Sequence, residues 1–325
     1  MMPAEAEAER LSRTLRIAYT TDDVALLGVW GHGDEGWAVG GNAKMDGGVV
    51  LHFEGDAVRR EIVPEGPLLW WVFGFDRTRL WAVGERGRIL RRTASGWATE
   101  YEFEDEKAVL YGVWGHSPKD LWAVGGSVRR NGPKGLVLRS DGDGRWRRVN
   151  DPTFPTTFNL YKVWGRASDD VMLVGEDGVT IHWNGRKFSR LDLDVRDILF
   201  TVHTAKERPW YIVGGTSKGL AFAGDSPMVE PLNTDGLPAL NGVTVHKDGS
   251  VLAVGGRGLI YLWDSMGDGH RIDIADRRAL GAKTLHSIWS GESVWIVGGD
   301  LTALQGGIVL RNLESTDGEH LHVDP

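Results

Sequence analysis

Apolar residues in this chain come in runs of four to six, separated by turn residues, and one phrase built from such runs returns seven times. Its fullest version is Tyr111-Gly-Val-Trp-Gly-His-Ser-Pro-Lys-Asp-Leu-Trp-Ala-Val-Gly125. The glycines that close the WAVG-like blocks are Gly40, Gly84, Gly125, Gly175, Gly214, Gly255 and Gly298, spaced 39 to 50 residues apart, the interval of a propeller blade. In the third copy the pattern predicts four strands, Leu110–Trp114, Leu121–Val124, Leu136–Arg139 and Trp146–Val149. The first two are almost wholly apolar, as sheet buried on both faces requires, whereas the last two admit charge and read as the outer edge. A helical solenoid is the rival reading. It would place two or three glycines per copy in helix interiors at a cost of roughly 1 kcal/mol each. The expected fold is an all-β, seven-bladed propeller of four-stranded antiparallel blades.

Closing the ring needs a strand from one end of the chain. Tyr19 stands 12 residues before Gly31, matching the offset of fourth strands from the next phrase, so 15–19 is expected to complete the last blade. His320–Val323 competes for the same slot. The division expected is a tail or short helix over 1–12, a propeller over 13–312 and an edge segment or tail over 313–325. Length alone would suggest two domains, but the uninterrupted repeat leaves one.

Loop lengths separate two faces. Turns between first and second strands are short and uniform, while the second-to-third loops lengthen at 41–48, 125–135 and 298–307. The connections between copies lengthen at 150–159, 233–241 and 275–284, on the same side of an antiparallel blade. Binding residues concentrate on variable loops held by a rigid scaffold. The residues expected to contact a ligand or partner are therefore Asn42, Lys44, Glu85, Arg86, Arg129, Arg130, Lys134, Asp177, Lys218, Arg257, Asp300 and Gln305.

Composition narrows the chemistry. There are 325 residues, a formal charge of −8, 15 tryptophans and no cysteine. The missing thiols exclude disulfides and thiolate metal sites, and the acidic balance argues against broad nucleic-acid binding. No run reaches the ~20 apolar residues of a membrane span. The start has neither a basic leader nor an apolar core, so a cytoplasmic protein is expected.

His32, His116, His203 and His246 fall at the ends of first strands on different copies, where turn hydrogen bonding is a better explanation than a shared metal. Asp141 with Asp143, and Asp264 with Asp268, lack the alternating oxygen ligands of a calcium loop. No nucleophile elbow, phosphate loop or dinucleotide fingerprint stands in context, and no cofactor or metal is expected.

The order Val-Trp-Gly, Asp-x-Trp-Ala-Val-Gly, glycine-led apolar strand and Gly-x-Trp, fullest in 113–146, resembles bacterial propeller repeats related to the photosystem-assembly-factor and neuraminidase (Asp-box) groups. Ser140-Asp-Gly-Asp-Gly-Arg-Trp146 departs from the Asp box Ser-x-Asp-x-Gly-x-x-Trp, with glycine in the aspartate's place and tryptophan one position early. The assembly-factor resemblance implies a scaffold that docks another protein on one face. The functional expectation is thus a non-catalytic propeller binding a protein partner on the long-loop face. The alternative is a carbohydrate-active propeller, lectin or hydrolase/lyase, with its site at the channel mouth of that face. Phe154, Phe158 and the Arg129–Arg130 pair discriminate by where they point.

Overall fold

The alternation of short apolar strands and glycine-rich turns closes into seven four-stranded antiparallel sheets in the computed structural model, which describes residues 4–44, 47–246, 248–264 and 267–312. Blades 1 to 6 span 25–60, 69–101, 109–148, 160–191, 199–231 and 240–271, each with its strands, A to D, paired in chain order from the axis outward. Blade 7 takes its A, B and C strands from Thr284–Ser290, Val294–Asp300 and Gln305–Asn312, and its D strand from Leu15–Thr20. Leu15 pairs with Asn312 and Thr20 with Ile308, so the N-terminal segment seals the ring. The competing segment 320–323 and the expected tail 313–325 lie outside the described residues. No helix among the described residues is long and apolar enough to cross a membrane.

The repeated closing glycine has a steric cause. A Cβ on Gly125 would lie 1.9 Å from the carbonyl oxygen of Val109, and at the other six positions the matching distance to the backbone at the start of strand A is 1.9 to 2.2 Å. Strands A and B can approach this closely only without a side chain there. In each blade the ladder then skips one residue of strand A, as between Leu110 and Gly112. These bulge residues are Leu27, Trp70, Tyr111, Tyr161, Phe200, Asn241 and His286. A bulge leaves its extra residue out of the ladder and re-aims its side chain.

Tryptophans of the WAVG blocks fill the seams. Trp37, Trp81, Trp122 and Trp295 are fully buried, and the Arg139 guanidinium lies 4.1 Å over the Trp122 ring while Trp122 meets Trp183 and Phe188 of the next blade. Trp295 packs on Phe53 across the ring closure. Burying such side chains contributes on the order of 2–3 kcal/mol each. The seam of blades 1 and 2 adds a polar network in which His52 bonds Glu35 at 2.8 Å and Arg92 bonds Glu61 at 2.9 Å. Burial pushes the Glu61 carboxyl up, but hydrogen bonds from His52, Arg92 and Trp97 outweigh it and hold the pKa at about 2.

The N-terminal helix Ala4–Thr14 buries Ala8 and Leu11 against Ile260, Leu262 and Ile272 of blade 6 and its neighbours in blade 7.

Gly125→Ala should lower the free energy of unfolding by more than about 3 kcal/mol, because the backbone would have to part to admit the methyl group. At Gly256 a Cβ would sit 3.5 Å from Pro238, so Gly256→Ala should change it by less than about 1 kcal/mol. Urea unfolding of both variants checks this contrast.

Candidate functional site

Six of the seven bulge residues, Trp70, Tyr111, Tyr161, Phe200, Asn241 and His286, line a cavity of about 340 Å³ at the axial mouth on the long-loop face. Four of them form an aromatic wall along consecutive blades: centroids are 5.3 Å apart for Trp70 and Tyr111, 5.0 Å for Tyr111 and Tyr161, and 5.8 Å for Tyr161 and Phe200. Trp70 also reaches His286 of blade 7, past the intervening blade 1, at 6.3 Å. The first two of these wall contacts are edge-on, at 68° and 65°.

Three residues further along strand A, Trp30, Phe73, Trp114, Trp164 and Trp289 turn into the channel. Trp164 lies 5.8 Å from Phe73, 6.4 Å from Trp114, 6.3 Å from Trp289 and 4.4 Å from His203. Rings from opposite blades meet on the axis, so the cavity is floored by aromatic side chains and opens on one face.

Between wall and floor sits Lys162, 4 % exposed, its Nζ 3.0 Å from the centroid of Trp71 on blade 2. The corresponding residues of other blades include Gly28, Gly112, Gly242 and Ser287, which leaves room for the lysine to cross. Burial drives its pKa well below the ordinary lysine value. Among the described residues no carboxylate comes within ion-pair distance of it.

Carboxylates occupy the rim instead. Glu85, 7 % exposed, accepts the indole N–H of Trp70 at 3.2 Å and lies 3.8 Å from Arg129. Burial raises its pKa despite both neighbours. Glu176 takes the equivalent place on blade 4 and accepts the Tyr161 hydroxyl at 2.8 Å and both N–H groups of Asn159 at 2.8 and 2.9 Å. Asn159 in turn accepts Ser127 N–H at 2.8 Å, tying the 125–135 loop of blade 3 to blade 4. Burial and the nearby carboxylates push both Tyr111 and Tyr161 above the ordinary tyrosine pKa.

Of the residues expected from sequence, Glu85 and Arg129 meet at the mouth, and Arg86 follows in a left-handed turn with φ of 60°. Asp177 and Arg257 adopt the same turn on blades 4 and 6. Arg130 is exposed on the loop, whereas Lys134 is turned back to the Ser127 carbonyl. Asn42 accepts the backbone N–H of the exposed Lys44, so both belong to one local turn. Lys218 lines an outer groove with Asp192 and Met228 rather than the mouth. Asp300 bonds the N–H groups of Thr302 and Ala303 and pairs with Gln305, because much of 298–307 extends the hairpin instead of forming a long loop. Phe154 and Phe158 pack inward on the core. Trp70, Tyr111, Tyr161, Lys162, Phe200, Thr201, Asn241 and His286 were not anticipated. Their signal is the variable position after the leucine in LLG, LWW, LYG, LYK, LFT, LNG and LHS, with a lysine inside one otherwise apolar phrase.

The turn histidines differ among themselves. His32 and His116 are exposed, while His203 Nδ1 accepts Val245 N–H at 3.2 Å. His246, Glu7 and Asp248 bring ligand-type atoms within 4.8 Å of one another on the opposite face. Arg10 engages both Glu7 oxygens, and Asp248 accepts the Ser250 N–H and hydroxyl. This grouping anchors the N-terminal helix.

Burial lowers the pKa of His203 to about 3 and of His286 to about 4. His286 donates from Nδ1 to the Leu27 carbonyl at 2.5 Å. Both rings are neutral in the folded protein, whereas unfolded histidines take up protons below about pH 6.5. Their contribution to stability is complete above that pH and is lost as pH falls toward their folded values. By pH 5 the loss should be on the order of 1–2 kcal/mol for each ring. Urea unfolding at pH 7, 6 and 5 measures it, and His286→Gln should flatten the slope.

No family model matches the sequence, and no curated protein matches it. Solved structures do match the fold. The WD40 β-propeller domain of Doa1 superposes with a TM-score of 0.67 at 10% identity, covering 93% of this chain and 98% of that one. YCF48 from Cyanidioschyzon merolae gives 0.64 at 13% identity, covering 92% and 98%. YCF48 bound to D1 peptide gives 0.55 at 14%, covering 76% and 93%. At these identities the likeness is one of fold, and the chain is a seven-bladed β-propeller.

Proposed function

We propose that this protein is a non-catalytic propeller that docks a protein partner on the face carrying the long loops. The observation that carries this reading is the one-sided, aromatic-lined cavity, with Val128 beside it 73 % exposed on the 125–135 loop. Wall, floor and loop are fixed by packing and by the Ser127–Asn159–Glu176 hydrogen bonds. A preorganised surface loses little conformational entropy on binding, and an apolar anchor entering a pocket is the usual centre of a protein interface. Arg86, Arg129 and Arg130 supply charge around it. The peptide carried by YCF48, a propeller of the same architecture, supports the reading by analogy.

The carbohydrate alternative draws on Glu85 beside Trp70. Against it, two of the three wall contacts are edge-on, and the buried Phe154 and half-buried Phe158 pack on the core instead of standing out as a stacking platform.

Quantitative pulldowns from the native host should separate the faces. Val128→Glu combined with Arg129→Glu should reduce retrieval of a specific partner by roughly tenfold or more, the effect of losing about 1.4 kcal/mol. His116→Glu on the opposite face should leave it unchanged. Equal retrieval by both variants would contradict the docking face, and saturable glycan-array binding that vanishes in Glu85→Gln would favour the carbohydrate reading.

A further inference from the structure

A buried amine with no anionic partner needs compensation, and the cavity beside Lys162 is where it can come from. Charging an amine away from water is costly unless a counter-charge is close. The Trp71 face offers partial compensation at 3.0 Å, and among the described residues no carboxylate pairs with the ammonium. The rim carboxylates are engaged elsewhere, Glu85 by Trp70 and Arg129 and Glu176 by Tyr161 and Asn159. The amine therefore lies deep in a cavity whose walls are aromatic and whose volume, about 340 Å³, is at the small end of ligand sites.

We propose that this cavity binds a small monocarboxylate with a flat apolar body, its carboxylate on Lys162 Nζ and its body between Tyr111, Tyr161, Phe200 and Trp70. The inference goes beyond partner docking, since the cavity can fill with no protein on the rim, and either can fail without the other. The ligand stops at the aromatic floor, so length is limited as well as charge. The Thr201 hydroxyl, which also lines the cavity, donates to the Asn241 carbonyl at 2.6 Å, so its proton is spent within the protein.

Protonation should be coupled to binding. Burial disfavours the charged amine in the free protein, and a bound carboxylate favours it, so the complex takes up a proton from solvent. The other titratable groups facing this region are Glu85, Glu176, Tyr111, Tyr161, His286 and, below, His203, with Arg129 at the rim. Glu85, whose pKa burial already raises, and His286 could also gain a proton, and loss of the uptake in Lys162→Met separates the lysine from both.

Isothermal titration of the full chain with phenylacetate, phenylacetamide and phenethylamine, in phosphate and in Tris at pH 7.5, tests the proposal. Phenylacetate should bind saturably, and both the amide and the amine should bind at least roughly tenfold more weakly. The buffer dependence of the heat should report proton uptake with the acid alone. Lys162→Met should bring acid and amide to similar affinity and abolish the uptake, while His286→Gln should retain it. Absence of saturable phenylacetate binding, equal binding of the amide, preference for the amine, or uptake that survives Lys162→Met would each overturn the proposal. The ligand comparison uses wild-type protein alone, so it stands even if Lys162→Met fails to fold.

Discussion

The contact on which this molecule depends is between a glycine Cα at the end of each strand B and a carbonyl just before the core of strand A. It recurs seven times, with 1.9 to 2.2 Å between that oxygen and where a Cβ would stand. Because the strands come so close, each strand A carries a bulge at the same height, and one residue per blade is released from the ladder. Fold and site share this cause. The glycine keeps the blade geometry constant, and the released residue is free to vary because the ladder does not use it.

Radial packing then gives the channel its layers. Strand A positions that carry glycine on blades 1, 3 and 6 let neighbouring backbones converge, as where a Cβ on Gly28 would meet Trp71 Cα at 2.9 Å. The same closeness brings Trp164 against rings from blades 2, 3, 5 and 7 and fills the axis. A propeller channel plugged on one side becomes a cup on the other. The cup is apolar at its wall, holds one lysine amine in its depth and carries both carboxylates and arginines at its rim, so its selectivity rests on polar groups at different heights.

Rigidity follows from the way the rim is tied. Ser127, Asn159, Glu176 and Tyr161 form one chain of hydrogen bonds from a loop of blade 3 to the wall of blade 4. Glu85 joins Trp70 of its own blade to Arg129 of the next. Such cross-blade ties hold the loop that exposes Val128 without any secondary structure of its own. The N-terminal helix and strand act at the other end of the stability problem, covering blade 6 and pairing with strand C of blade 7, so that strand is not left as an exposed edge.

The blade count, the strand order and the N-terminal closure were legible in the sequence, because a strand's period of two and its turn chemistry are local properties that seven copies repeat. Loop length was a poorer guide, since 298–307 reads as a long loop but largely extends a hairpin. Single residues were not legible: Lys134 and Asp300 looked available on loops but are spent on their own backbones, and Lys218 lies on the flank. The cavity residues were hidden in phrases that read as buried sheet, since nothing local marks the position after each leucine as a bulge. Sequence by itself determined the repeat and the need for glycine at its close. Only the ring decided that Trp70, Tyr111, Tyr161, Phe200 and Lys162, tens of residues apart, face one another, because their meeting depends on the rotation from blade to blade about the axis, a quantity no single blade contains.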